Sequence, residues 1–155
     1  MSAEPKERNI AVNRKARHEY HILETLECGL VLVGTEVKSL REGKANLTDA
    51  YGVVQHGEVW LYGLHISPFD KGNRFNHDPV RPRKLLLHRE EIRRLIGKTK
   101  EKGLTLVPLR LYFSNQKVKL ELALVKGKKL HDKREAEAAK DARREIERAV
   151  RVSVR

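Results

Sequence analysis

The histidine and aspartate in the stretch KGKKLHDKR are the first residues whose types suggest chemistry. His131 and Asp132 are sequence neighbours with cations on both sides. Neighbouring side chains diverge in a helix or a strand, whereas a catalytic pair normally consists of residues that the fold brings together. The chain also contains no G-x-S-x-G motif and no Walker loop. The sequence therefore predicts no catalytic residue and no enzyme. A hydrolase or nuclease that uses this pair is kept as an alternative hypothesis.

A metal site is the second chemistry to test. His18 and His21 are three residues apart at the start of a predicted strand, so their side chains point to opposite faces. No carboxylate or cysteine is well placed to complete a zinc site. The single cysteine, Cys28, excludes an internal disulfide and has the parity of a small core side chain. The sequence predicts neither a metal nor a cofactor.

The charge of the chain is strongly positive and concentrated at its ends. The 155 residues carry a formal net charge of +12. Residues 1–18 have five Lys or Arg against two Glu, and residues 126–155 have eleven against six acids. Such an excess predicts a polyanionic partner, with nucleic acid as the first candidate. A membrane partner is not expected, because no basic stretch has a strong apolar face and no run of about 18 apolar residues occurs.

The start of the chain and its basic clusters point in the same direction. The first twelve residues lack the apolar core of a secretory signal, so we expect a cytoplasmic protein. Charge alone predicts RNA phosphate contacts for several basic residues, although any one of them could simply belong to a solvated surface. These residues are Arg17, Lys38, Arg41, Lys44 and Lys84.

The hydrophobic pattern predicts elements that are mostly strands. Apolar residues alternate over 20–33, and further strands flank His56-Gly57 and Ser114-Asn115-Gln116 as hairpins. Pro108 should mark an edge or a bulge. Helices are predicted from GTEVKSLREG and from REEIRRLIGKTKEKG, the second ending near Gly103, with a basic loop over 70–84. Five or six strands with two helices suit a small barrel of the oligonucleotide-binding (OB) type, and composition alone leaves a half-open sandwich equally open.

Three blocks of the sequence resemble a known family. They are NRKARHEYHILETLECGLVLVGTEVKSLREGKANLTDAY, RKLLLHREEIRRL and LALVKGKKLHDKR, in this order within residues 13–134. They are similar to the SsrA-binding proteins, the small protein B family, which bind tmRNA in bacterial trans-translation. The resemblance implies a mainly β fold, an OB-like closed antiparallel β-barrel with two or three helices packed outside. It also implies a basic C-terminal tail that is disordered when free and helical on the ribosome.

The resemblance also implies a division of labour along the chain. We expect a flexible arm over 1–12, an RNA-binding barrel over 13–131 and a basic tail over 132–155. The family binds the tRNA-like domain of tmRNA and, with elongation factor Tu, delivers it to stalled ribosomes, where the tail acts in the small-subunit decoding centre. We expect a monomer without a cofactor or a membrane partner. A general OB-type RNA chaperone is the alternative.

Residues at matching positions take roles from the resemblance. Those tied to tmRNA binding are Asn13, Tyr20, Glu27, Lys126, Lys128 and Lys129. Those tied to the decoding centre are His131, Asp132, Lys133 and Arg134. Glu27 is an acid in a basic RNA-binding protein. It could accept a hydrogen bond from a base amino group or orient a neighbouring arginine, and the sequence leaves both open.

Overall fold

The computed structural model describes residues 6–70, 76–101, 103–128, 138 and 140–146. The strands are β1 (Glu7–Val12), β2 (Tyr20–Leu30), β3 (Ala45–Asn46), β4 (Tyr51–Gln55), β5 (Glu58–Tyr62), β6 (His65–Ile66), β7 (Arg83–Leu86), β8 (Leu104–Ser114) and β9 (Lys117–Gly127). The helices before residue 128 are α1 (Ala16–Glu19), α2 (Gly34–Arg41) and α3 (Arg89–Lys98). The predicted mainly β fold is therefore confirmed.

The main sheet closes on itself. Its order is β1-β8-β4-β5-β7-β2-β9, and β9 also pairs with β8, so six strands form a ring and β1 is added outside on β8. Every strand pairing is antiparallel. The register shifts at Ile22/Glu24 on β2 and at Pro108/Arg110 on β8. Such bulges increase the local twist and bend of long strands, which lets them curve around a closed core.

The core lies inside the ring and under the helices. Leu26, Leu61, Leu111 and Leu122 are among its buried residues, and helix α2 contributes Leu40. A second, smaller core lies on the other face of β8 and β9, around the buried residues Ala16, Val107, Leu109, Ala123 and Val125. Both faces of β9 are therefore buried in this part of the strand. This second core fixes α1 and the start of β2 beside the end of β9.

Several predicted elements agree with the structure. Strand β2 begins at Tyr20 as expected and ends at Leu30, three residues before the predicted end. His56 and Gly57 both have positive φ, 51° and 73°, as the two central residues of a tight hairpin require. The bulge at Pro108 is confirmed. Helix α3 ends at Lys98 rather than near Gly103.

Two segments differ from the prediction. Residues 7–12, which were expected in a flexible arm, form β1 and pair with β8 from Glu7↔Ser114 to Val12↔Arg110. Strand β7 lies at the end of the stretch predicted as a basic loop. Both strands are short, and each contains charged residues where the alternation of apolar side chains would be expected. Pairing with long neighbours stabilises them where their own sequences give little signal.

A buried ion cluster connects α2 to β7. The side chains of Glu36 and Arg83 are both fully buried. Glu36 accepts hydrogen bonds from Arg83 Nε at 2.7 Å, from Arg81 Nε at 3.2 Å and from the Val33 N–H at 2.9 Å. Arg83 also donates to the carbonyls of Leu64 and Pro79. Because a buried charge needs partners for its whole hydrogen-bonding capacity, this cluster fixes the first turn of α2 against the chain around residue 80.

Candidate nucleic-acid interface

The sequence-predicted residues near the two ends of the folded chain come together in one place. Tyr20 pairs with Gly127, and Lys126 lies opposite His21 on β2. Lys128 Nζ donates to the Arg17 carbonyl at 2.9 Å, and the Lys128 N–H donates to the Glu19 carbonyl at 2.9 Å. We call Arg17, Tyr20, Lys126 and Lys128 the exit cluster. It places three cations and one aromatic ring where the chain leaves β9, an arrangement suited to phosphate contact and base stacking.

Asn13 is a buried residue next to α1 that anchors this part of the chain to β8. The residue is only 8% exposed. Its Nδ2 donates to the Pro108 carbonyl at 3.0 Å, and its backbone N–H donates to the Leu109 carbonyl at 2.7 Å. Asn13 therefore joins the start of the α1 segment to the bulge in β8. This contact gives it a positioning role.

A cleft of about 380 Å³ opens beside Asn13 and Tyr20. Tyr51 also lines this cleft, and its ring stacks on that of Tyr62 with the centroids 5.8 Å apart. Tyr51 is 48% exposed, so part of its ring is accessible for stacking on a base. Sequence reasoning missed Tyr51. Its only signal was an aromatic residue at the start of a strand, directly after a polar turn.

Glu27 contacts a tyrosine on the outer face of the sheet. Its Oε2 accepts a hydrogen bond from the Tyr112 hydroxyl at 2.5 Å. Burial, together with the hydrogen bond to Glu27 and its negative charge, raises the pKa of Tyr112 above the usual range of a phenol. The Arg110 guanidinium lies 3.9 Å from the Tyr112 ring centroid. Glu27 thus holds a phenol in place, and the guanidinium of Arg110 lies over the ring of that phenol.

Arg110 has carboxylate partners on two sides. It donates to Glu121 at 3.1 Å and to Glu7 at 3.0 Å, and also to the Asn9 side chain at 3.0 Å. Glu7 and Asn9 belong to β1, so this network fastens the first strand to β8 and β9. The charge of Arg110 is largely compensated, and its main role is structural.

The remaining predicted cations differ in how much of their charge is compensated. Lys44 forms ion pairs with Glu42 at 3.1 Å and Asp70 at 3.3 Å, and hydrogen bonds to these acids raise its pKa. Lys84 pairs with Glu58 at 3.6 Å. Lys38 Nζ lies 5.6 Å from the Phe69 ring centroid. Arg41 is exposed at the end of α2 and has no carboxylate partner among the described residues. Lys38 and Arg41 are therefore the stronger candidates for phosphate contact.

Five predicted site residues lie outside the described residues: Lys129, His131, Asp132, Lys133 and Arg134. In the predicted tail, residue 138 and residues 140–146 are helical and exposed.

Other chemistry finds no support in the part of the chain that the structure describes. No group of three or more His, Cys, Asp or Glu side chains there could hold a metal ion. Burial, with smaller contributions from Glu91 and Glu27, raises the pKa of the Cys28 thiol to about 12. Cys28 therefore stays a thiol at neutral pH and lacks the thiolate that a nucleophile needs. No helix among these residues is long and apolar enough to cross a membrane.

Comparison with known proteins gives a consistent result. A family model described as "SmpB protein" matches residues 10–152. The chain is 63% identical over 151 residues to the SsrA-binding protein of Desulforudis audaxviator, covering 97% of this chain and 98% of that one. It is 62% identical over 145 residues to the SsrA-binding protein of Carboxydothermus hydrogenoformans, covering 94% and 97%. A solved structure described as "tmRNA-SmpB: a journey to the center of the bacterial ribosome" is similar with a TM-score of 0.65 and 51% identity, covering 83% of this chain and 87% of that one.

Proposed function

The chain belongs to the SmpB family of SsrA-binding proteins, and from this premise we propose that it binds tmRNA and acts with it on the bacterial ribosome in trans-translation. The observation that carries the proposal is similarity over nearly the whole length of the chain, at about 60% identity, to proteins that are named for binding SsrA RNA. The net charge of +12 supplies the electrostatic attraction that binding to a structured RNA requires.

The tmRNA surface that we propose lies on the folded part of the chain. The exit cluster supplies Arg17, Tyr20, Lys126 and Lys128, with Asn13 as a positioning residue. Lys38 and Arg41 extend the surface to α2, and Lys44 and Lys84 contribute less because acids compensate their charge. Glu27 acts through its hydrogen bond with Tyr112. Lys129 continues the basic stretch of the exit cluster.

The scaffold of this surface is an OB-like closed barrel in our proposal. The continuous ring of antiparallel strands and the core within it support that description. We place the beginning of the folded domain at Glu7 rather than at residue 13, because β1 is part of the sheet and holds Arg110. The domain extends to residue 131, and residues 132–155 form the tail.

The tail carries the ribosomal part of the function. His131, Asp132, Lys133 and Arg134 contact the decoding centre of the small subunit, and the tail, which is helical over residues 140–146, binds the ribosome as a helix. The protein works as a monomer in the cytoplasm and is not an enzyme. It delivers tmRNA together with elongation factor Tu.

One comparison of affinities tests the proposed function. The dissociation constants for the tRNA-like domain of tmRNA and for an ordinary tRNA are measured by fluorescence anisotropy at one salt concentration, because non-specific binding depends strongly on salt. We expect binding to tmRNA that is at least about tenfold tighter, a difference of about 1.4 kcal/mol. Equal affinities would instead favour a general OB-type RNA chaperone. Cleavage of either RNA by the pure protein, lost in His131→Ala, would favour the nuclease hypothesis.

A further inference from the structure

Two arginines that the sequence analysis did not connect line one groove on the far side of β1 from Arg110. Arg8, Arg41, Phe113 and Gln116 line this groove, whose volume is about 530 Å³. Arg8 comes from β1, Arg41 ends α2, and Gln116 lies in the turn between β8 and β9. We call these four residues the arginine groove. Among the residues that the structure describes, no carboxylate lines it.

Arg8 is held in place on two sides. It pairs with Phe113 in the β1–β8 ladder, and its guanidinium lies 5.1 Å from the centroid of the Phe113 ring. Its Nη2 also donates to the carbonyl of Arg41 at 3.5 Å. A guanidinium fixed over an aromatic ring loses less conformational entropy when it binds a ligand than a free one does.

The wall of the groove formed by the β8–β9 turn is also fixed. Asn115 and Gln116 both have positive φ, 49° and 70°. The Asn115 N–H donates to the Lys6 carbonyl at 3.1 Å, and the Lys6 N–H donates to Asn115 Oδ1 at 3.1 Å. These two hydrogen bonds tie the turn to the start of β1. Gln116 thus presents an amide with two donors beside the arginines.

The acids nearest in sequence to the two arginines are engaged elsewhere. Glu7 bonds to Arg110 at 3.0 Å, which lies on the opposite face of β1 from Arg8. Glu42, directly after Arg41, pairs with Lys44 at 3.1 Å. Neither Arg8 nor Arg41 has a carboxylate partner among the described residues. Within the described part of the chain, two guanidinium groups that no acid compensates therefore line one groove. Seven of the described cations outside this groove, by contrast, pair with an acid within 4 Å: Lys44, Arg81, Arg83, Lys84, Arg94, Lys98 and Arg110.

We propose that the arginine groove is a binding site for an RNA phosphodiester, with Arg8 and Arg41 as its ligands and Gln116 as an additional donor. Guanidinium groups match the geometry of phosphate oxygens and form charge-assisted hydrogen bonds with them. The inference rests on the proposed function for the identity of the anion, which can belong to tmRNA or to ribosomal RNA.

The experiment uses the full chain and variants that remove charge but keep side-chain length. Arg8→Gln, Arg41→Gln and the double variant R8Q/R41Q are compared with the charge-matched control K98Q/K100Q. These two lysines lie at the end of α3 and just after it, outside the groove. Each protein is titrated with labelled tmRNA in one arm and with isolated ribosomes in the other, at several salt concentrations. Melting curves confirm that each variant is folded.

We expect the double variant to bind about tenfold more weakly than the control in at least one arm, as loss of one charge-assisted phosphate contact predicts. The slope of log K against log salt should fall by about 0.7–0.9 for each phosphate lost. The arm that changes identifies the RNA that supplies the phosphate. Double-variant binding equal to that of the control in both arms would overturn the proposal.

A second measurement on the unaltered protein remains decisive even if a variant does not fold. Phenylglyoxal modifies accessible guanidinium groups, and mass spectrometry reports the modification at each arginine. We expect saturating RNA to protect Arg8 and Arg41, whereas equal modification with and without RNA would count against the groove. The proposed function is judged separately, by the preference of the unaltered protein for tmRNA over tRNA, so that either idea can fail alone.

Discussion

At the scale of single residues, the cations of this protein fall into different classes that composition alone cannot separate. Arg83 is fully buried and paired with Glu36. Arg110 lies at the surface but is compensated by Glu7 and Glu121. Arg8 and Arg41 have no such partner among the described residues. A positive charge contributes more to RNA binding where no acid of the protein compensates it, which is why our proposal gives the last pair a part in RNA recognition.

The substitution Glu36→Gln tests the structural class. It leaves Arg83 buried without a compensating charge, which typically costs about 3–5 kcal/mol of unfolding free energy. The matched control is Glu58→Gln, which removes a surface ion pair with Lys84 and should cost less than about 1 kcal/mol. Urea denaturation monitored by circular dichroism measures both. A loss for Glu36→Gln no larger than that of the control would show that the cluster does not hold the fold.

Glu36 also makes the stability of the protein depend on pH, and the direction of that dependence follows from its pKa. Burial alone would raise the pKa of Glu36, but the hydrogen bonds from Arg81, from the Val33 N–H and from Arg83 outweigh it and hold the pKa below its usual value. A depressed folded-state pKa stabilises the protein fully above the unfolded-state pKa of about 4.3 and less as the pH falls through the folded-state value. The Glu36→Gln variant should therefore lose less stability between pH 5 and pH 3 than the unaltered protein.

At the scale of elements, β1 changes the description of the N-terminus from an arm to a strand. Its residues Ile10 and Ala11 pack against the main core, and Glu7 and Asn9 bind Arg110 on β8. The strand lies at the end of the sheet order, and three of its four exposed residues, Glu7, Arg8 and Asn9, are charged or polar. Charged edge strands of this kind discourage pairing with other chains.

Two substitutions on β1 test whether it is an integral strand. Ile10→Ala removes partly buried apolar atoms and should lower the unfolding free energy by about 1–3 kcal/mol. Val12→Ala changes a side chain on the same strand that is 48% exposed and should cost less than about 1 kcal/mol. Chemical denaturation of the two variants and the unaltered protein under the same conditions measures both changes in unfolding free energy. If both substitutions lower the unfolding free energy by the same small amount, residues 7–12 are a flexible arm and not an integral strand.

The sequence predicts those elements whose hydrophobic alternation or turn residues are visible in the local sequence. Alternation over β2 and β9, the His56-Gly57 turn and the proline bulge at Pro108 were all readable, because each depends on local geometry. Strand β7 was not, because its first residue, Arg83, is a fully buried cation whose partner Glu36 is 47 residues away in sequence. Tyr51 and Arg8 were missed for a related reason. Their significance depends on the residues that the fold places beside them.

At the scale of the whole molecule, most of the binding charge belongs to the folded part and not to the extreme C-terminus. Residues 135–155 carry six Lys or Arg against five Asp or Glu, a net charge of only +1. The exit cluster and the arginine groove both lie before residue 129. The long-range attraction to RNA therefore depends little on the last 21 residues, although we assign them a role on the ribosome.

Truncation after Arg134 separates these two roles. We expect the shortened protein to bind tmRNA within about threefold of the full chain, because nearly all of the net charge remains. Tagging of incomplete peptides in a reconstituted translation system should be lost. The control is a full-length chain in which residues 135–155 are scrambled, which keeps their composition and charge. Normal tagging by the truncated protein would contradict the assignment of the tail to the ribosome.

The closure of the sheet by β9 has a consequence for how the protein is made. A chain is synthesised from its N-terminus, so β1 and β2 leave the ribosome long before β8 and β9, the strands on which they pair. Until Gly127 has been added, β2 and β8 keep edges with unpaired N–H and C=O groups. A copy of this protein interrupted before that residue cannot complete its own sheet. A factor that serves translation on broken messages thus folds only when its own message is intact at least through the codon for Gly127.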